Sequence, residues 1–119
     1  MIRKALAESE SGNLKEAQTL LNQAIALAPE SALAYTRLGG IQLLQQEYAA
    51  GIGSFQKAIM LDQGNAEAFI GLSIAYLHQG RYSLAREALS EASRLRPDKQ
   101  QTIDQVLAWL DQREQTYGR

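Results

Sequence analysis

Cysteine is absent from this chain, which removes disulfides, thiolate metal sites and thiol nucleophiles together. The compartment stays open on that ground, because reducing and oxidising locations both tolerate a cysteine-free protein. His78 is the single histidine, so no imidazole pair can hold a metal, and neither a metal nor a cofactor is expected. No apolar run approaches the ~20 residues of a membrane helix, so direct membrane insertion is not expected. The N-terminus, Met1 to Glu8, meets an acid before a signal-peptide core forms, and a cytoplasmic location is expected. An excess of one charge is also lacking. Twelve Lys+Arg against thirteen Asp+Glu leave a formal charge of −1, which gives no long-range field to gather nucleic acid or an anionic membrane. Proline occurs only twice. What the 119 residues do contain is 45% hydrophobic and 21% charged side chains, enough for one small folded domain. The aliphatics are mostly Leu and Ala, which favour helix over strand.

The chain repeats itself. Asn13-Leu14-Lys15-Glu16-Ala17 aligns with Glu47-Tyr48-Ala49-Ala50-Gly51 and with Arg81-Tyr82-Ser83-Leu84-Ala85, at a step of 34 residues each time. Leu21, Phe55 and Leu89 then align, followed by Ala24, Ala58 and Ala92, and by Leu27, Leu61 and Leu95. Upstream, Tyr35-x-x-Leu38-Gly39 matches Phe69-x-x-Leu72-Ser73, and the helix-stopping position holds Pro29, Gln63 and Pro97. This pattern resembles the tetratricopeptide repeat (TPR), a helix–turn–helix unit of 34 residues. The resemblance covers nearly the whole chain. It implies an all-α fold, a right-handed superhelix of about seven helices: three helix–turn–helix repeats, the first abbreviated, plus a C-terminal capping helix. The expected divisions of this single domain, 1–119, are repeat one at 1–31, repeat two at 32–65, repeat three at 66–99 and the capping helix at 100–116. Repeat one departs from the family, with Met1 and Lys4 at its aromatic and Leu positions.

Elementary helix physics leads to the same place. A first helix of repeat two, about Ser31 to Gln45, sets Tyr35, Leu38 and Ile41 or Gln42 on one face. Ser31 and Glu30 stand where an N-cap and an anion belong. A second helix, about Tyr48 to Leu61, turns Ile52, Phe55, Ala58 and Ile59 inward. Small residues at Ala5, Gly39 and Ser73, and at Ala17, Gly51 and Ala85, allow close approach of paired helices. Gly12 and Gly80 follow first helices, where a left-handed cap needs no Cβ; Gln46 in the same place implies local strain or another turn form. Past Lys99, about Gln100 to Gln115, Ile103, Val106, Leu107 and Leu110 form one stripe, with Trp109 at its margin. In the family such a helix closes the last repeat's apolar face, as solubility of a solenoid demands. No such cap is expected ahead of repeat one, so either Met1 begins a shortened chain or something else covers that end.

Catalytic chemistry finds no footing. His78 lacks an obvious nucleophile and orienting partner. Glu87 and Glu91, one turn apart, are interleaved with Arg86, Arg94 and Arg96 and read as a solvated ion-pair face. Gly51-Ile52-Gly53 lacks the Lys-Ser/Thr ending of a phosphate loop. Arg94, Arg96 and Lys99 are a favourable helix C-terminus rather than an RNA site. The chain is expected to be no enzyme.

The resemblance implies a concave groove lined by first helices. Carried over residue by residue, repeat two supplies Leu33, Thr36, Gly40, Leu43 and Leu44, with Arg37 beside them; repeat three supplies Glu67, Ile70, Ile74, Leu77 and His78. Repeat one supplies Ile2, Leu6, Ser9 and Glu10, and the capping helix Gln101, Asp104, Ala108, Asp111 and Gln112. The carboxylate clamp of one TPR subclass, which grips heat-shock chaperone tails, needs Lys and Asn where this chain has Ile2, Leu6, Thr36, Gly40, Ile70 and Ile74, so chaperone-tail binding is not expected. What remains is an apolar stripe of Leu6, Leu43, Ile70, Ile74 and Leu77, with a dent at Gly40, oriented by Arg37, Glu67 and His78. The alternative is that superhelical curvature buries the stripe within the chain itself. Four such side chains give roughly 5 kcal/mol gross at ~25 cal/mol per Å², much of it consumed by association, so micromolar or weaker affinity is expected from the stripe alone. The expected function is a scaffold that binds a segment of a partner protein in its concave groove, with assembly of a larger complex among the roles the resemblance implies. The alternatives are a module that self-associates through its open first repeat, and a regulatory piece of a longer enzyme.

Overall fold

The turns set the architecture. The structure, a computed structural model, describes residues 2–10 and 12–117, without the side chains at 7–10 and 117; the readings made at Met1 and for the side chains of Ser9 and Glu10 lie outside the described residues. Among these residues the chain forms α1 (Ile2–Glu10), α2 (Leu14–Leu27), α3 (Ala32–Leu44), α4 (Tyr48–Leu61), α5 (Ala66–His78), α6 (Tyr82–Leu95), a 3-10 turn at Pro97–Lys99, and α7 (Gln100–Tyr117). No strand occurs among them. α1, α3 and α5 each pass to the following even helix through one left-handed residue, Gly12 at φ 86°, Gln46 at 64° and Gly80 at 74°. Gln46 therefore takes the glycine turn rather than another form, at a cost of about 1 kcal/mol for its Cβ. Each even helix stops on a residue that leaves the helical region, Ala28 at φ −138°, Asp62 at −146° or Arg96 at −138°. The Ser31 hydroxyl oxygen accepts from Ala34 N–H at 3.1 Å, and Asn65 Oδ1 accepts from Ala68 N–H at 3.1 Å, capping α3 and α5.

Small residues allow the helix pairs to close. Ala5, Ala17, Ser73 and Ala85 are buried with Gly39 and Gly51 at the paired positions. Phe55 of α4, 2% exposed, is the pivot. A Cβ built on Gly39 would stand 2.7 Å from its ring, and one on Gly71 of the next repeat would be closer still. The ring is thus held between glycines of α3 and α5. A Cβ on Gly53, on the outer side of α4, would meet nothing within 4 Å. Gly39→Leu is therefore expected to lose at least ~1–3 kcal/mol through overpacking, while Gly53→Leu should be neutral or gain up to ~1 kcal/mol of helix propensity. Thermal melts compare the two directly, and equal shifts would contradict this packing.

The capping stripe is buried as its pattern requires: Ile103, Val106 and Leu110 are 2% exposed or less and share one core with Leu89, Ala92 and Leu77, with Leu107 packed on its edge. Trp109 remains outside, 54% exposed.

Candidate functional site

The helices form two unequal layers. Among the described residues α1 touches α3, α3 touches α5 and α5 touches α7, whereas α2, α4 and α6 do not touch one another. A stack whose odd helices are close and whose even helices are splayed must curve, with the odd helices on its inner side. First-helix residues therefore line the concave face.

That face is open in one half and closed in the other. Between α1 and α3 lies a cleft of about 330 Å³ that gathers Leu6, Thr36, Arg37 and Gly40, together with Leu21, Ile41 and Leu44. The repeat explains it. Leu21 stands one period before Phe55, and Arg37 one period before Gly71. Where α4 sends a phenyl ring against a glycine, α2 sends a shorter Leu, and the space is left to the flexible Arg37. Leu44 is 64% exposed and Leu33 48%.

The expected stripe is less free than its pattern suggests. Leu43, Ile70 and Ile74 are half-buried and pack against the main core. Leu77 is only 4% exposed and has no surface to offer a partner. The reason is α7, which packs against α5 and draws Leu77 into one core with Ile103, Val106 and Leu110. Leu77 is therefore a core residue, not a groove residue. Ile74→Glu must then disturb core contacts as well as the groove. Thr36 is also buried, and its hydroxyl is fully engaged: it donates to the Ala32 carbonyl at 2.9 Å and accepts from Asn65 Nδ2 at 2.8 Å. It ties the cap of α5 to α3 and borders the cleft without a free polar group. Asp111 turns away from the concave face to accept from Arg86 of α6 at 2.8 Å, beside Glu114 at 2.6 Å, and these hydrogen bonds raise the Arg86 pKa.

Charged groups complete the face. Arg37 Nη1 reaches Glu67 Oε2 at 3.5 Å, and Lys99 Nζ stands 4.0 Å from Glu67 Oε1. The basic residues at the end of α6 are paired locally, Arg94 with Glu91 and Arg96 with Asp98; Arg96 lowers the Asp98 carboxyl to about 2. At the far end His78 is stacked on Tyr48, centroids 4.7 Å apart and planes 8° from parallel. Sequence reasoning missed this pair, since its partners lie on helices of opposite layers. Burial, and then the charge of Arg113, lower the His78 pKa from the ordinary 6.5. The folded state therefore binds a proton here less readily than the unfolded chain. His78 adds to stability as pH rises through the interval ending at 6.5, and the gain is lost on acidification across it. An NMR titration should place the His78 midpoint below 6.5, and Arg113→Gln should move it upward; a midpoint above 6.5 would contradict the arrangement.

A family model described as Tetratricopeptide repeat matches residues 42–110, and a second of the same description matches residues 2–66. The chain is 33% identical over 67 residues to the Lipoprotein NlpI homolog of Haemophilus influenzae, covering 56% of this chain and 21% of that protein. It is 31% identical over 91 residues to Tetratricopeptide repeat protein 36 of Mus musculus, covering 73% of this chain and 49% of that one. The chain thus spans half or less of the length of these relatives. Among solved structures, the Arabidopsis OM64 TPR domain superposes with a TM-score of 0.88 at 21% identity, over 93% of this chain and 91% of that one. The TPR2B domain of yeast Sti1, in a complex with pHsp70, gives 0.86 at 21% identity over 91% and 90%. The Yersinia enterocolitica type III secretion chaperone SycD, in complex with a peptide of the translocator YopD, gives 0.86 at 17% identity over 97% and 90%.

Proposed function

Because the chain belongs to the tetratricopeptide-repeat family, we propose that it is a non-catalytic binding module that takes up a segment of another protein on its concave, odd-helix face. The observation that carries this reading is the α1–α3 cleft, with Leu6, Arg37, Gly40 and the exposed Leu44 around it. An apolar hollow with one oriented cation suits a polypeptide, which offers side chains of both kinds. Structural neighbours described with bound partner segments, Sti1 with pHsp70 and SycD with a YopD peptide, support the same use of this fold. In this proposal Leu43, Ile70 and Ile74 line the deeper groove, Glu67 and His78 orient the partner, and the whole chain acts as one domain with repeats at 1–31, 32–65 and 66–99 and a cap at 100–116. A role as an assembly factor for a larger complex follows from such binding.

Two matched substitutions test it. Leu44→Glu and Met60→Glu change equally exposed apolar residues, 64% and 72% exposed, on α3 and on α4. Both should fold, with melts within about 0.5 kcal/mol of the parent. Immobilised on beads with lysate from the source cells, Leu44→Glu should lose the bound protein and Met60→Glu should keep it. The reverse pattern places the partner on the outer layer.

A second reading is favoured by one observation. Leu27 is 74% exposed and borders a shallow hollow of about 500 Å³ with Ile2, Ala24 and Ala28. A second copy stacking on the first repeat would cover it. Sedimentation across a concentration series decides: association that Leu27→Glu abolishes supports self-assembly.

A further inference from the structure

Arg37 is the one charged side chain among the described residues lining the α1–α3 cleft, and its bonding is uneven. Its Nη1 meets Glu67 at 3.5 Å, the long limit of a hydrogen bond. Its Nε is buried and takes no acceptor among the described residues, although buried donors are almost always paired. Glu67 is shared, because Lys99 stands at its other oxygen. Glu67 therefore keeps a cation when Arg37 turns away. Beside Arg37 the floor opens at Gly40, where a Cβ would meet nothing within 4 Å, among Leu6, Leu21, Ile41 and Leu44.

We propose that this cleft is a two-part subsite for an acidic segment of a partner protein: an aliphatic side chain enters the dent over Gly40, and a neighbouring Asp or Glu carboxylate takes the Arg37 guanidinium from Glu67. The inference rests on the reading of the concave face as the partner's face. Charge complementarity names the occupant. A carboxylate matches the guanidinium fork with two parallel hydrogen bonds, and the turn of Arg37 toward it gives Nε the acceptor it lacks. Glu67 acts as an internal competitor that holds Arg37 until the partner arrives. It also rejects segments without an acid, since these cannot replace the pair they break.

The probe is the peptide acetyl-Gly-Ser-Leu-Ser-Asp-Ser-Gly-amide, capped at both ends so that its only carboxylate is a side chain. It is titrated into the full chain and followed by NMR shifts of the Gly40 amide and the Leu6 and Leu44 methyls. Saturable shifts at these positions are expected. Replacing the peptide's Asp by Asn, or Arg37 by Gln, should weaken binding about tenfold; Arg37→Lys should restore part of it, and Glu67→Gln should tighten it severalfold. Thermal melts confirm that each variant folds. Equal binding of the Asp and Asn peptides at the cleft would overturn the acidic subsite while leaving the concave face as the binding face. Weaker binding by Glu67→Gln, binding only by a peptide with a free C-terminus, or no saturable shift at millimolar probe would overturn it too. Shifts confined to α4 and α6 would overturn both readings.

Discussion

Gly71→Ala is expected to lower the unfolding free energy by about 2 kcal/mol, although the change adds a single methyl group to a helix. In an exposed helix the same substitution would gain up to ~1 kcal/mol. Here the methyl must enter space held by the Phe55 ring. The same ring edge also borders Gly39 on α3, where an ideal Cβ would stand 2.7 Å away, so the ring has little room to shift. Overpacking of this kind costs ~1–3 kcal/mol, and one methyl against a tightly held ring belongs in the middle of that range. Phe55→Leu should destabilise alone by leaving space, yet rescue Gly71→Ala in part. Denaturant unfolding of the four chains in the cycle should show a favourable coupling of about 1 kcal/mol or more. Strict additivity would contradict direct contact. Gly40→Ala, where a Cβ meets nothing within 4 Å, serves as the control that should not destabilise.

Removal of α7 should have the larger effect. A chain ending at Lys99 loses Ile103, Val106 and Leu110, each almost fully buried. At ~1.5–3 kcal/mol per buried aliphatic side chain, these contribute between them roughly 5–9 kcal/mol gross. The whole stability of a domain this size is ~5–15 kcal/mol, and in a stack each interface carries a large share of it. The shortened chain should also expose Leu89 and Leu77. It is expected to melt without a cooperative transition, or to aggregate in light scattering. A melt within a few degrees of the parent would show that α7 is an accessory.

Much of this fold is legible in the sequence, for a physical reason. A stacked repeat places each helix in nearly the same surroundings, so the demands recur with the period. Gly39 and Ser73, or Ala17, Gly51 and Ala85, are small because two backbones meet there each time. The seventh helix could be read because its stripe has no partner within its own helix. The misreadings arise where the environment stops repeating. Gly71 stands one period after Arg37, and nothing local marks the one as a contact for Phe55 and the other as the edge of a cleft. The difference lies in the residue presented by the preceding helix, Phe55 against Leu21. Leu77 falls at a groove position of the family's repeat, as its period mate Leu43 does, but the last repeat is covered by α7 and not by another repeat. Helical spacing shows that Ile70 and Ile74 share a face. It does not show how far curvature folds that face into the core. The Tyr48–His78 stack joins helices that no spacing rule relates.

The central claim is that a partner lies along the odd helices. The most direct measurement is hydrogen exchange of the backbone amides, with and without the protein captured by the parent chain. Slower exchange confined to α1, α3 and α5, with α2, α4 and α6 unchanged, is the predicted result. Protection of α4 and α6 with no change in α3 and α5 would contradict it.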